Sequence, residues 1–221
     1  GSTIRERYRE CFRPSVDVRP NKFVWLGTTR RFPAFTFYFK RDPHGLWRVH
    51  AYQYEPGRST FIVEAREETW RSAGLERATE EDTIKFCERL FADELEGHVL
   101  VSNRSLWRSF PVIVNESWFH KNIVLLGDAA HTVHFSVGSG TKLAMEDAIA
   151  LCEALLKHSD LPTALSSYVK ARRPTVESLQ RALTLSLLTW DEVGVAGPAL
   201  GGVALARLGV AAIYAFDAVT Y

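Results

Sequence analysis

Gly127-Asp128-Ala129-Ala130-His131-Thr132 follows directly on Ile123-Val124-Leu125-Leu126, and the junction between them decides how the rest of the chain is read. A continuous apolar run of this kind predicts a strand buried on both faces. It ends on a glycine, which allows close approach of the backbone, and then on an acid. Ligands of α/β folds gather at the carboxyl ends of strands. There the Asp128 carboxylate can accept hydrogen bonds from ligand hydroxyls, such as those of a sugar or ribityl chain, and Ala129 and Ala130 leave space for a large flat group. Further on, Gly138-Ser139-Gly140-Thr141 precedes a helix predicted from about Thr141 to Leu156. The free N–H groups and positive dipole end of such a helix stabilise negative charge on a ligand. Each element alone is better explained as loop shaping, with Asp128 capping a turn. The order strand, short loop, helix favours the ligand reading.

Outward from this segment, a second helix runs from Leu161 into Arg172-Arg173-Pro174, where Pro174 is expected to kink or restart it before Thr175 to Leu188 continues. Towards the amino end, Thr3 to Cys11 is charged and helix-like. Arg13 to Asn21 reads as a loop because Pro14 and Pro20 lie near its two ends. Lys22 to Gly27 is a short apolar strand. Phe35, Phe37 and Phe39 alternate with Thr36 and Tyr38, the two-residue period of a strand. Asp42-Pro43-His44-Gly45 turns the chain with Gly45 supplying a positive φ. Trp47 to Tyr54 alternates again, Pro56-Gly57 turns, and Ser59 to Glu64 makes another strand. Such runs joined by short turns predict an antiparallel meander. Thr79-Glu80-Glu81-Asp82 then opens a helix whose apolar residues Ile84, Phe86, Cys87, Leu90 and Phe91 recur at helical spacing. Its acidic first turn suits the dipole. Val99 to Val101 and Val112 to Val114 read as strands. No internal repeat or low-complexity tail occurs.

The bulk numbers exclude several classes of function. In 221 residues, 46% are apolar and 24% charged, as in an ordinary soluble globular protein. The net charge of +1 gives no electrostatic case for nucleic acid. Cys11, Cys87 and Cys152 are far apart and odd in number. No C-x-x-C or Cys/His spacing exists, so neither a metal site nor a disulfide framework is expected, and a reducing, cytoplasmic compartment follows. Six Trp, seven Tyr and thirteen Phe are a rich aromatic supply for a core or for a pocket that takes flat ligands. From Gly194 to Phe216 the only charge is Arg207. Pro198 and Gly201-Gly202 interrupt that stretch, which favours a closely packed small-residue helix pair or a dimer contact over a membrane span.

Several of these segments carry a resemblance. Gly127 to Asp147 resembles the second FAD motif of the class A flavoprotein monooxygenases, the para-hydroxybenzoate hydroxylase type. Four further stretches are similar to the monooxygenase domain of salicylyl-CoA hydroxylases. They are Phe23-Val24-Trp25-Leu26-Gly27-Thr28, Ala34-Phe35-Thr36-Phe37, Ser59-Thr60-Phe61-Ile62-Val63-Glu64, and His134-Phe135-Ser136-Val137-Gly138-Ser139-Gly140-Thr141-Lys142-Leu143. The broad class usually has Pro at the place of Phe135 and Asn at that of Lys142; the salicylyl-CoA group shares both departures. The resemblance covers most of Ser2 to about Glu192.

What it implies is an α+β fold of α/β descent: a mainly antiparallel substrate-facing sheet with helices over 1–118, a partial FAD-binding layer of strand, loop and helix over 119–160, and a C-terminal helical region over 161–221. Gly127, Asp128, Ala129, Gly138, Ser139, Gly140 and Thr141 would contact FAD, Asp128 through the ribityl chain. Phe35, Phe37, His50, Tyr52 and Phe135 would face the substrate. NADH or NADPH would reduce the flavin, and oxygen would then hydroxylate an electron-rich ring. Family members begin with a strand–G-x-G-x-x-G–helix unit that holds the FAD diphosphate. No such pattern occurs in these 221 residues, and Ser2-Thr3-Ile4-Arg5 resembles only the tail of the family's Asp-Gly motif. The expectation is therefore a member lacking its N-terminal part, completed by another chain or working as a homodimer. The alternative is a chain without redox activity or bound FAD, which binds an aromatic or polyketide-like substrate or catalyses a cyclisation or isomerisation.

The catalytic residue stays open, with His134, His50 and Tyr52 as candidates. His131 and His134 are imidazoles, a group type suited to proton transfer; packing in the loop is the other reading, favoured for His131. His50 and Tyr52 share a strand face, towards substrate or towards water. Arg30-Arg31 and Arg172-Arg173 are pairs of the kind that meet the phosphates of a CoA thioester, or else solvated surface charge.

Overall fold

The computed structural model describes residues 1–192, except for the side chains of Val137 and of residues 182–192. The apolar stretch Gly194–Phe216 lies outside the described residues. In chain order the elements are α1 (Thr3–Arg7), α2 (Arg9–Phe12), β1 (Pro14–Thr28), β2 (Thr36–Asp42), β3 (Gly45–Glu55), β4 (Arg58–Ala65), α3 (Glu67–Ser72), α4 (Glu80–Leu90), α5 (Ala92–Leu95), β5 (Leu100–Val101), β6 (Arg108–Asn115), β7 (Phe119–His120), β8 (Ile123–Val124), α6 (Gly140–Lys157) and α7 (Leu161–Glu192). This is the expected α+β arrangement with a mainly antiparallel sheet. It forms two compact units, Val18–Phe110 and Gly1–Asp17 together with the chain from Pro111 onward. Those limits differ from a division at 118/119 and 160/161.

The Val18–Phe110 unit is built on the meander. The strand order is β2-β3-β4-β1-β5, with β2–β3, β3–β4, β4–β1 and β1–β5 all antiparallel, and β6 also pairs with β1. The β2–β3 turn is set by Asp42, whose Oδ1 accepts from the N–H groups of His44 (2.9 Å) and Gly45 (3.1 Å) and from Trp47 Nε1 (2.9 Å). One carboxylate thus closes the turn and fixes the first core tryptophan. Alternation puts Val24, Leu26, Trp47, Val49, Ala51, Phe61, Val63 and Ala65 on one face. There they join Cys87, Phe91 and Leu95 of the following helices in a single core. Helix α4 starts as its sequence predicts: Thr79 and Asp82 form a reciprocal capping box, an arrangement worth about 1 kcal/mol.

In the other unit, α6 and α7 pack on each other, and Phe12, Trp118, Leu125, Ala130, Leu143, Ala154, Tyr168 and Val176 make the core. Tyr168 is fully buried and its hydroxyl donates to the Leu125 carbonyl at 3.2 Å.

Three local expectations are corrected. Residues 14–20 are strand, not loop: they form the exposed first half of β1, ahead of the β1–β4 ladder that begins at Lys22↔Ala65, so the prolines remove no donor from that ladder. The run from Ile123 is a two-residue strand with both residues half-buried, because its partner among the described residues is the equally short β7. Helix α7 is continuous through Pro174. Side chains on both sides of the proline are anchored, Arg172 and Arg173 before it and Gln180 after it, and this holds the helix across the missing N–H. Among the described residues no helix is long and apolar enough to cross a membrane.

Candidate functional site

The loop after β8 is a tight 3-10 turn, Gly127–Ala129, entered with Gly127 at φ +53°. A Cβ at Gly127 would lie 3.0 Å from the Cβ of Ala144, so glycine is required both by the left-handed backbone and by the close approach to α6. The turn is fastened by a buried carboxylate. Asp147 of α6 is fully buried and accepts from the Gly127 N–H (2.9 Å), from His131 Nε2 (2.8 Å) and from Arg172 Nε (2.9 Å). Burial opposes ionisation of Asp147, but the hydrogen bonds from His131, Gly127 and Arg172 outweigh it and hold the carboxyl below its ordinary range. The second arm of Arg172 reaches Glu146 at 2.8 Å.

The loop carbonyls are held from other segments. Arg5 donates to the carbonyls of Asp128 (3.1 Å) and Ala129 (2.8 Å). Asn115, itself fully buried, donates through its amide to Ala129 and Ala130. Thr132 Oγ1 donates to the Pro111 carbonyl and accepts from the Ile113 N–H, and Gln180 donates to the carbonyls of Ile113 and Thr132. With its main chain pinned in this way, Asp128 is left exposed.

The entrance to α6 has the opposite character. Gly138 takes φ +62°, Ser139 is an N-cap without a side-chain cap bond, and the first turn of α6 carries no acid. The first helical bond ahead of the body of α6 is Leu143 N–H to Ser139 O (2.9 Å), so the N–H groups of Gly140 and Thr141 have no acceptor within the helix. A Cβ added at Gly138 or Gly140 would meet nothing within 4 Å. Close by in the chain, His134 is buried (3% exposed) and caps the Phe135–Val137 turn. Its Nδ1 lies 2.9 Å from Ser136 Oγ and accepts the Ser136 N–H at 3.4 Å, while its ring stacks 4.3 Å from that of Phe135. His131 is a packed residue, with its ring 4.9 Å from that of Trp118.

The face of the sheet opposite the Trp47 core forms a second group, in the Val18–Phe110 unit. Here a buried carboxylate again organises the residues around it. Glu64 (1% exposed) binds Arg48 Nη2 at 2.7 Å, Asn21 Nδ2 at 2.9 Å and His50 Nε2 at 3.4 Å. The His50 ring sits 4.9 Å from Phe37, Phe37 lies 5.1 Å from Phe35, and Phe35 stacks on Tyr52 at 5.0 Å with 13° between planes. Phe35 and Phe37 are 49% and 41% exposed. The expected substrate residues Phe35, Phe37, His50 and Tyr52 thus form one aromatic cluster backed by the buried Glu64 carboxylate. Phe135 belongs to the other unit, with the loop residues.

Sequence reading passed over Glu64, Arg48, Asp147, Arg5 and Asn115. A signal existed for two of them: Glu64 ends the apolar run Phe61-Ile62-Val63, and Asp147 interrupts the apolar stripe Leu143, Ala150, Leu151, Ala154 of α6. Of the basic pairs, Arg172 is tied to Asp147 and Glu146. Arg173 is tied to Glu177 and to the carbonyls of Asn115 and Glu116. Arg30 is tied to Glu96 at 2.5 Å, with its guanidinium 5.0 Å from the Phe32 ring.

The chain is 43% identical over 202 residues to salicyloyl-CoA 5-hydroxylase of Streptomyces sp, covering 87% of this chain and 39% of that protein. It is 43% identical over 168 residues to 3-hydroxy-4-methyl-anthranilyl-[aryl-carrier protein] 5-monooxygenase of Streptosporangium sibiricum, covering 76% of this chain and 44% of that protein. The chain therefore spans less than half the length of these relatives. In fold it is similar to 2-methyl-3-hydroxypyridine-5-carboxylic acid oxygenase, with a TM-score of 0.65 at 15% identity over 83% of this chain and 50% of that one. A family model described as FAD binding domain matches residues 21–182, well over half of the sequence, and the chain belongs to that family.

Proposed function

We propose that this chain supplies the flavin-contacting loop and the substrate-facing sheet of an FAD-dependent monooxygenase that hydroxylates an aromatic acid carried as a thioester. The observation that carries the reading is the entrance to α6. Its N-cap Ser139 makes no side-chain cap bond, its first turn carries no acid, its two glycines leave open space, and the exposed Asp128 carboxylate stands on a loop clamped by Asp147. These features fit FAD: a flat, electron-accepting ring system approaches backbone rather than side chains, and a helix N-terminus stabilises negative charge on it. A polyhydroxyl chain finds an acceptor in Asp128.

FAD supplies the redox chemistry by which oxygen is activated for insertion into an electron-rich ring. This chain's residues bind and orient. Gly138, Ser139, Gly140 and Thr141 present backbone to the ring system, and Gly127, Asp128 and Ala129 line the polyhydroxyl arm. Phe35, Phe37 and Tyr52 offer flat apolar surface to the aromatic substrate; Phe135, in the other unit, is a further flat side chain beside the flavin loop in sequence. His50, beside Glu64 in the sheet unit, and His134, held by Ser136 in the loop unit, are each a group able to accept or donate a proton. The thioester class follows the two relatives, whose names specify a CoA and a carrier-protein thioester.

The test is product analysis. The protein with FAD, reduced nicotinamide and an aromatic acyl thioester should give a product that gains one oxygen atom from labelled dioxygen. A protein that binds FAD yet never yields that product would refute the reading, and formation of a cyclised or isomerised product would replace it with a non-oxidative one.

A further inference from the structure

The ends of β1 and β4, together with β5 and residues 102–108, border a cleft of about 950 Å³ within the Val18–Phe110 unit. Ligand pockets commonly reach up to about 1,000 Å³. Its charged lining residues are Arg58, Arg104 and Arg108, all exposed, and no carboxylate lines it. Its aromatic lining includes Trp25 and Tyr54, 45% and 54% exposed, which is high for side chains of that size. A net charge of only +1 makes the local excess of three guanidinium groups a feature of this place and not of the whole surface.

The cleft has a built frame. Gly27 pairs with Thr60 on one side and with Val101 on the other. Arg58 and the segment after Val101 therefore flank β1 at about two strand spacings, roughly 10 Å. That segment is fastened: Ser105 Oγ donates to the Trp25 carbonyl at 2.5 Å, and the Ser105 N–H donates to Glu80 at 2.7 Å. Arg58 meets Glu55 at 3.4 Å with both side chains largely in solvent, a pairing that contributes little. Arg104 and Arg108 make no ion pair among the described residues. Of the basic pairs singled out by sequence, Arg30, Arg172 and Arg173 bind carboxylates of their own units.

The geometry points to this cleft as the binding site for the phosphorylated adenosine diphosphate portion of coenzyme A. Guanidinium groups match phosphates in charge and in bidentate geometry, and exposed Trp25 and Tyr54 offer faces on which an adenine stacks. This rests on the reading above that the substrate is an acyl thioester, and it assigns the thioester's polar end. Coenzyme A uses three phosphate groups and a base. A carrier-protein arm has one phosphodiester and no base, and would leave most of the cleft unused.

The experiment is calorimetric titration of the full chain with coenzyme A, phosphopantetheine and pantetheine, with tryptophan fluorescence in parallel. Coenzyme A should bind saturably and lose affinity as salt is raised. Phosphopantetheine should bind at least about tenfold more weakly, and pantetheine more weakly still. Arg104→Ala and Arg108→Ala, both at exposed positions, should each weaken coenzyme A by about tenfold, the factor of a charge-assisted hydrogen bond. Exposed Arg77→Ala, outside the cleft, should change nothing. Circular dichroism and melting are read on every variant, so that unfolding is not mistaken for lost contact. Equal affinity for coenzyme A and phosphopantetheine, absence of binding by the folded chain, or a double variant that binds as tightly as the parent would overturn the assignment. No flavin is needed for this titration. Loss of coenzyme A binding beside intact hydroxylation sinks the site alone, and intact binding without hydroxylation sinks the proposed function alone.

Discussion

Replacing Asp147 tests the clamp that positions the loop. The carboxylate is fully buried and serves three donors at 2.8–2.9 Å on three segments: Gly127 of the loop, His131 beyond it and Arg172 of α7. Asp147→Ala leaves the Arg172 guanidinium, 11% exposed, facing an empty position. Breaking a buried pair from one side costs about 3–5 kcal/mol. Glu146 retains one arm of Arg172, which places the expected loss near the lower figure. For a domain of this size each kcal/mol moves the melting temperature by about 2–4 °C, so a fall of roughly 6–12 °C is expected. Asp147→Asn keeps the shape and an acceptor but no charge, and should lose about 1.5–3 kcal/mol, the value of hydrogen bonds to a charged group. The folded carboxyl is held below its ordinary value. Its contribution is therefore present above the unfolded pKa of about 3.9 and is lost as pH falls through the lower folded value. The Asn variant should show a flatter acid limb than the parent. Urea denaturation from neutral to acid pH measures both effects. An Asn variant within about 0.5 kcal/mol of the parent, with the same acid limb, would refute the clamp.

Gly127→Ala places a Cβ in left-handed backbone 3.0 Å from Ala144, and should destabilise by about 1–2 kcal/mol from backbone alone in the same urea assay, with weaker FAD binding. Tyr52→Ala removes a partly exposed ring stacked on exposed Phe35, so melting should move little while KM for the aromatic thioester rises several-fold in steady-state assays. Glu64→Ala leaves Arg48 and His50 buried without their shared carboxylate and should cost about 3–5 kcal/mol by denaturation. Burial pushes the Cys87 thiol up while Cys152 is exposed. A thiol reagent should therefore label Cys152 quickly and Cys87 only after unfolding, as peptide mapping would show.

The strands and helices were legible because their periods are clean: Phe35-Phe37-Phe39 against Thr36 and Tyr38 could be little else, and Thr79 with Asp82 marked the start of α4. The strand status of residues 14–20 was not legible, since two prolines argue for a loop unless the other strand of the pair is known. The continuity of α7 through Pro174 depends on tertiary anchors that local rules do not contain. At the site, the glycines and Asp128 announce themselves by spacing. The side chains that hold them do not: Arg5 and Asn115 act from more than 120 and about 15 positions away on loop carbonyls, contacts that no sequence period encodes. Asp147 and Glu64 left a readable trace as charges set in apolar stripes, the pattern of a buried and therefore paired carboxylate.

The central claim is that the Asp128 loop and the α6 entrance hold FAD, and titration of the chain with FAD, followed by flavin fluorescence and the visible spectrum, tests it most directly. The account predicts saturable binding with a perturbed flavin spectrum and a loss of about tenfold in affinity for Asp128→Ala, the factor of one charge-assisted hydrogen bond. A folded chain that leaves the flavin spectrum unchanged, or an Asp128→Ala variant that binds FAD as tightly as the parent, would contradict it.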